Sequence, residues 1–145
     1  MAESRFVYVT YIRAPAEKIW EAITTPEQNR KFWSGYHQET SWQVGADYAI
    51  VSAEGVAWDA GKVLEIDPPR RLSVSWLHLK HEDMKADGLS TATFDLEPAS
   101  EGVTKLTLTH SVGVSPSKLI EGVSRGWPGI LSSLKSLMET GEAIG

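Results

Sequence analysis

Ser115-Pro-Ser-Lys-Leu-Ile-Glu-Gly-Val-Ser-Arg-Gly-Trp-Pro-Gly-Ile-Leu-Ser-Ser-Leu-Lys-Ser-Leu-Met-Glu-Thr-Gly141 reads as one long amphipathic helix. Leu119, Ile120, Val123, Trp127, Ile130, Leu131, Leu134, Leu137 and Met138 recur at spacings of three and four, which gathers them on one face. Ser115-Pro116 is predicted as the cap and first helical residue, and Gly141 as the residue that ends the helix. Pro128 lacks an amide donor and crowds the carbonyl of Ser124, so a kink or break is expected at Gly126-Trp127-Pro128. A helix with one apolar face needs a surface to cover.

That surface lies upstream. Candidate strands run over Phe6–Arg13, Gln38–Gln43, Asp47–Ala53, Val56–Ile66, Arg71–His78, Ser90–Glu97 and Thr104–Val112. Short spacers rich in Gly, Pro and Asp join the last six, which implies an antiparallel meander. Three strands alternate with period two. Leu72, Val74, Trp76 and His78 share one face, as do Ala92, Phe94 and Leu96, and Leu106, Leu108, His110 and Val112. Their other faces are polar, so the sheet is expected to be covered on one side only. After strand one, Pro15 and Glu17 begin a short helix with Ile19, Trp20 and Ile23 on its apolar face. Thr25-Pro26 breaks it, and Glu27 to Phe32 adds further turns. The whole is predicted to be a single α+β domain over residues 1–145: a curved antiparallel sheet gripping a long C-terminal helix.

Composition narrows the function. The 145 residues carry no cysteine, which excludes a disulfide scaffold, a thiol nucleophile and a thiolate metal site. The opening Met1-Ala2-Glu3-Ser4-Arg5 has no secretory character, and no run of residues is apolar and long enough to span a membrane. A cytoplasmic protein is expected. Its net charge of −5 disfavours nucleic acid as a partner. No glycine-rich phosphate loop occurs, and no cofactor is expected.

Several blocks together resemble the AHSA-type proteins of the START-like, or SRPBCC, superfamily. They are Ile12-Arg-Ala-Pro-Ala-Glu-Lys-Ile-Trp20, Gly61-Lys-Val-Leu-Glu-Ile-Asp-Pro-Pro-Arg-Arg-Leu-Ser-Val-Ser-Trp76, Thr91-Ala-Thr-Phe-Asp-Leu-Glu-Pro98, Leu106-Thr-Leu-Thr-His110 and Gly126-Trp-Pro-Gly-Ile-Leu-Ser-Ser-Leu-Lys135. The resemblance spans about Tyr8 to Thr140. It implies a helix-grip fold with a cavity between sheet and helix, as in polyketide cyclases, lipid-transfer START domains and birch-pollen-type allergens. The family is named for an activator of the heat-shock-protein-90 ATPase. The eukaryotic activator also has an N-terminal chaperone-binding domain for which these 145 residues leave no room, so ATPase activation does not follow from the resemblance.

Six tryptophans are many for this length. Trp20 reads as core, and Trp42 as core or surface. Trp33, Trp58, Trp76 and Trp127 fall where such a fold would place cavity walls, and with His78, Phe94 and His110 they form the candidate ligand-binding set. Large rings with one N–H suit an apolar or aromatic ligand with a polar handle, and a Trp-filled core is the competing reading. No residue is assigned a catalytic role. His78 and His81, three apart, lack the convergent partners of a metal site. Gly122-Val-Ser-Arg-Gly126 matches a nucleophile-elbow pattern but lies inside a helical run. The expected function is small-molecule binding. The alternatives are a cyclase- or hydratase-like enzyme using His78, His110 and Asp59, or a chaperone-interacting module. Monomer and homodimer are both compatible with the sequence.

Overall fold

The computed structural model describes residues 3–144. Met1, Ala2 and Gly145 lie outside the described residues, as does that part of the expected 1–145 domain and of the opening segment. The element order is β1 (Ser4–Ile12), α1 (Ala16–Thr24), α2 (Pro26–Phe32), β2 (His37–Glu39), β3 (Asp47–Val51), β4 (Ala57–Asp67), β5 (Arg71–His78), α3 (Glu82–Lys85), β6 (Ser90–Ser100), β7 (Val103–Val112) and α4 (Lys118–Thr140). The strands form one antiparallel sheet in the order β1-β7-β6-β5-β4-β3-β2. Strand one thus closes on the last strand, and α4 lies across the buried face. This is the α+β architecture expected from the patterning, and the helix-grip fold that the resemblance implies.

The core is where period two meets period 3.6. Leu72, Val74, Ala92, Leu106 and Leu108 from the sheet and Leu131 and Leu134 from α4 are essentially inaccessible. Ile19, Ala22 and Ile23 bury the inner face of α1, while Trp20 is only half-buried against the same core. Thr25 is extended (φ −114°, ψ 118°), as the residue before a proline prefers, and this separates α1 from α2. Fully buried Asn29 then stitches the unit together: its Nδ2 donates to the carbonyls of Ala22 and Ile23 at 2.8 and 2.9 Å, and its Oδ1 accepts from the Gln38 amide at 2.8 Å. Trp42 sits half-buried against the core at a left-handed φ of 59°.

Four local expectations are corrected. The cap of α4 is Ser117, not Ser115-Pro116: Ser117 Oγ accepts from the Ile120 amide at 3.0 Å and donates to Asp87 Oδ2 at 2.8 Å. Asp87 also accepts from the Leu119 amide at 3.0 Å, so one carboxylate and one hydroxyl satisfy the orphan donors, and these bonds hold the Asp87 carboxyl below its usual range. The break expected at Pro128 does not occur, and α4 runs unbroken through it. Trp127, Leu131 and Leu134 anchor both sides of the proline in the core, and that packing outweighs the lost hydrogen bond. Strand β2 is shorter than expected, and α3 forms between β5 and β6, where the sequence patterning predicts no element.

The two faces of the sheet also differ from the simple expectation. On β5 the outer face is dry at Ser73 and Ser75. Ser73 Oγ and Thr93 Oγ1 share a hydrogen bond of 3.0 Å, and the Lys62 amide donates to Ser75 Oγ at 2.8 Å. Gly61 makes this approach possible, since a Cβ there would stand 1.9 Å from the Ser75 carbonyl oxygen. On the edge strand β1 the outer face is apolar rather than polar. Val7, Val9 and Tyr11 are 50%, 44% and 51% exposed and form an apolar stripe, unlike the polar outer faces read for the three alternating strands. Among the described residues no helix is long and apolar enough to cross a membrane.

Candidate functional site

Between the sheet and α4 lies an open cavity of about 860 Å³. The end of α2 and the following turn supply Phe32, Trp33 and Tyr36. The end of β3, the start of β4 and the end of β5 supply Ile50, Trp58, Asp59, Trp76 and His78. The loop into α3 adds His81, and α4 contributes Gly126, Trp127, Gly129 and Ile130 from above. Five of the seven candidate residues therefore meet at one cavity: Trp33, Trp58, Trp76, His78 and Trp127. Phe94 and His110 do not line it. Both lie behind Trp127, with ring centroids 5.7 and 6.1 Å from it.

The aromatic wall is held by edge-to-face contacts. Trp127 meets Trp33 at 5.4 Å and Trp76 at 5.6 Å, and Tyr36 meets Trp58 at 5.8 Å. Such pairs stabilise beyond their buried area and fix ring orientation. The wall leaves one donor free: Trp76 Nε1 is buried and has no hydrogen-bond partner. It favours the charged form of the neighbouring Asp59 carboxylate.

The glycines of α4 have separable roles. A Cβ on Gly122 would meet the Met84 side chain at 2.8 Å, so this glycine lets α3 pack against α4 rather than bringing α4 to the sheet. Gly126 and Gly129 are exposed and have nothing within 4 Å of a Cβ position. Both line the cavity, so the absence of side chains there keeps it open. Ser124 sits between Gly122 and Gly126 inside the helix and donates to the Glu121 carbonyl at 2.8 Å, which disposes of the nucleophile-elbow pattern.

Two histidine networks border the site. His110 is fully buried. Its Nδ1 accepts from Trp127 Nε1 at 3.0 Å, since an indole nitrogen only donates. That leaves Nε2–H to donate to Ser90 Oγ at 2.8 Å, and Ser90 Oγ donates to the Trp76 carbonyl at 2.7 Å. Every polar atom is used, and burial lowers the His110 pKa to about 4. His110 is a neutral strut behind the aromatic wall.

The second network faces the cavity. Asp59 and His78 are opposite one another on β4 and β5, and Asp59 Oδ1 lies 2.8 Å from His78 Nδ1. His78 Nε2 lies 2.9 Å from His81 Nδ1. The two rings are almost parallel at 11° with centroids 5.1 Å apart, a separation that fits rings joined edge to edge by the N–H···N bond. Burial pushes the Asp59 carboxyl up, and the His78 hydrogen bond opposes it. The nitrogens of His78 are both spent on neighbours, and among the described residues no three His, Cys, Asp or Glu side chains group to hold a metal ion. Sequence reasoning weighed Asp59 and His78 as acid–base groups, and His81 only as a metal ligand, which it set aside. The His78-x-x-His81 spacing was its only signal, and it pointed to metal binding rather than to a row.

Elsewhere the charges are superficial. Arg71 pairs with Glu65 at 3.1 Å and Asp95 at 2.8 Å, and Arg70 with Asp67 at 2.9 Å, forming a cluster of surface ion pairs around the β4–β5 turn.

Comparison with known proteins agrees with the geometry. The family model described as Activator of Hsp90 ATPase homolog 1-like protein matches residues 13–139. The crystal structure of protein MLL2253 from Mesorhizobium loti is 28% identical, with a TM-score of 0.78 over 94% of this chain and 97% of that one. The solution structure of the Aha1 dimer from Colwellia psychrerythraea is 25% identical, with a TM-score of 0.71 over 97% and 99%. PFC0360w, an HSP90 activator from Plasmodium falciparum, is 23% identical and shares the fold, with a TM-score of 0.67 over 85% of this chain and 86% of that one. No curated protein matches the sequence.

Proposed function

The chain belongs to the Activator of Hsp90 ATPase homolog 1-like family, and from that premise we propose that it binds an apolar, aromatic small molecule with one polar handle in the cavity beneath α4. The observation that carries the reading is the cavity of about 860 Å³ walled by Trp33, Trp58, Trp76 and Trp127. Its size suits a drug-sized ligand, and its lining combines apolar rings with a few convergent polar groups. The convergent polar groups Asp59, His78 and His81 on that wall support a ligand with a polar handle. Gly126 and Gly129 support it too. Glycine inside a helix costs roughly 1 kcal/mol relative to alanine, and no neighbouring protein atom requires it at either position.

Native followed by denaturing mass spectrometry of the purified protein tests for a resident ligand, and calorimetry with 1-naphthol tests uptake. The expected result is one-to-one binding that Gly126→Phe weakens at least about tenfold by filling the cavity without a clash. A protein that arrives empty and does not take up 1-naphthol, or a Gly126→Phe variant that binds as wild type does, overturns the reading.

A second reading, contact with an Hsp90-type chaperone, draws on the family's name and on the exposed stripe Val7, Val9 and Tyr11. The Colwellia relative is described as a dimer, and the same stripe would suit a second copy. Val7→Glu with Val9→Glu should abolish capture by purified Hsp90 on the first view, and lower the mass found by light scattering on the second. Capture and mass both unchanged by the two substitutions remove the stripe from either role.

A further inference from the structure

Ligand binding alone gives no use for Asp59, His78 and His81 standing in a row at the cavity. We propose that this row is a general base, with His81 Nε2 the atom that takes a proton from a weakly acidic aromatic ligand lying against Trp58. The proposal rests on the cavity reading above and adds a reaction to it.

The direction of the row follows from its hydrogen bonds. Asp59, as a carboxylate, can only accept, so His78 Nδ1 carries the proton between them. With His78 neutral, its Nε2 is an acceptor and takes the bond from His81 Nδ1–H. His81 Nε2 is then the one ring nitrogen of the row left with a free lone pair. The buried end of the row is Asp59, and the exposed end is His81, which lines the cavity with its ring centroid 6.0 Å from that of Trp58.

Such a row can accept a proton at one end and hold the charge at the other. When His81 Nε2 takes a proton, the bridging proton can pass from His81 Nδ1 to His78 Nε2. The positive charge then rests on His78, 2.8 Å from the Asp59 carboxylate, and His81 is again neutral. His81 would be the catalytic residue, with His78 and Asp59 positioning residues that act through it. Asp83 and Arg125 also border the cavity, and Lys80 Nζ stands 5.8 Å from the centre of the Trp58 ring. Asp83 is thus a rival base that the test must separate.

The probe is 5-nitrobenzisoxazole, a flat aromatic whose ring opening needs only a base. The C3 proton goes to the base, the C–H electron pair becomes the third carbon–nitrogen bond, and the N–O bond breaks with its pair on oxygen. The product is 2-cyano-4-nitrophenolate, and no oxidant or co-reactant enters. The expected result is saturable phenolate release. His81→Gln should lower kcat by about a hundredfold with KM unchanged, and free imidazole should restore turnover to His81→Ala. His81 is exposed and only its backbone serves α3, so both variants keep the fold. Asp59→Asn should lower kcat with KM kept, and Asp83→Asn should change neither.

An unchanged rate in His81→Gln, a loss confined to KM, or absence of imidazole rescue overturns the proposal. Binding of the phenol product is measured in parallel by calorimetry. Product that binds without probe turnover sinks the base and leaves the cavity reading standing. Product that does not bind sinks both.

Discussion

His110 and His78 stand two strands apart on the buried side of the same sheet, and they have opposite fates. His110 is enclosed by Trp127, Ser90 and Trp76, with every donor matched to an acceptor. His78 is equally buried, but its chain of hydrogen bonds runs outward from Asp59 to His81 and stops at an exposed ring. A closed network has one protonation state and serves stability. A row with a free end can gain a proton and so serves chemistry. Burial of a histidine therefore says little by itself, and the last atom of its network decides the role.

Four measurements test that contrast. The largest effect is acid lability. The folded pKa of His110 is about 4, below the ordinary 6.5, so the unfolded chain takes up a proton that the folded one refuses. Stability is therefore lost as pH falls from about 6.5 towards 4, by roughly 3 kcal/mol for this group. Denaturant titrations across that range should show a slope that His110→Gln lacks, and an equal slope in the variant would deny the neutral strut. Next, Trp127→Phe removes the donor to His110 Nδ1 and should destabilise by about 2 kcal/mol through an unsatisfied acceptor and a lost indole edge. Ser90→Ala comes third, at about 1 kcal/mol, because it breaks a bridge whose neighbours keep other contacts. At the open end, His81→Gln should shift the unfolding midpoint by less than about 0.5 kcal/mol. A large loss there would mean that His81 is a structural member like His110.

Much of this contrast lay in the sequence, and the reasons for the rest are specific. Alternation along Arg71–His78 and Val103–Val112 turned Trp76, His78 and His110 inward because a strand has period two. The pairing of His78 with Asp59 was not legible. It depends on a register shift between Val63 and Glu65. Carried from Asp67–Arg71 without that bulge, the ladder would set Ala60 against His78 and leave Asp59 opposite Leu79. His81 was hidden for another reason: its place depends on the short helix α3, four residues with no apolar period of their own. The cap of α4 was misplaced because its acceptor, Asp87, lies thirty residues before Ser117. Phe94 and His110 were assigned to the cavity by parity, which gives a face of the sheet but not a depth behind Trp127.

Helix α4 is pinned at both ends, by Ser117 and Asp87 at its start and by Gly141, whose amide bonds the Leu137 carbonyl at 3.0 Å with φ at 85°. Its middle is the weak part, with Gly122, Gly126, Pro128 and Gly129 in two turns of backbone. Intrinsic propensity there is about 1 kcal/mol poorer per glycine than alanine, and about 3 kcal/mol poorer at proline. The helix should accordingly breathe like a bridge fixed at its abutments, opening at mid-span over the cavity. Amides of residues 123–132 are expected to exchange with deuterium well before those of 133–140, and an occupant beneath them should slow that exchange.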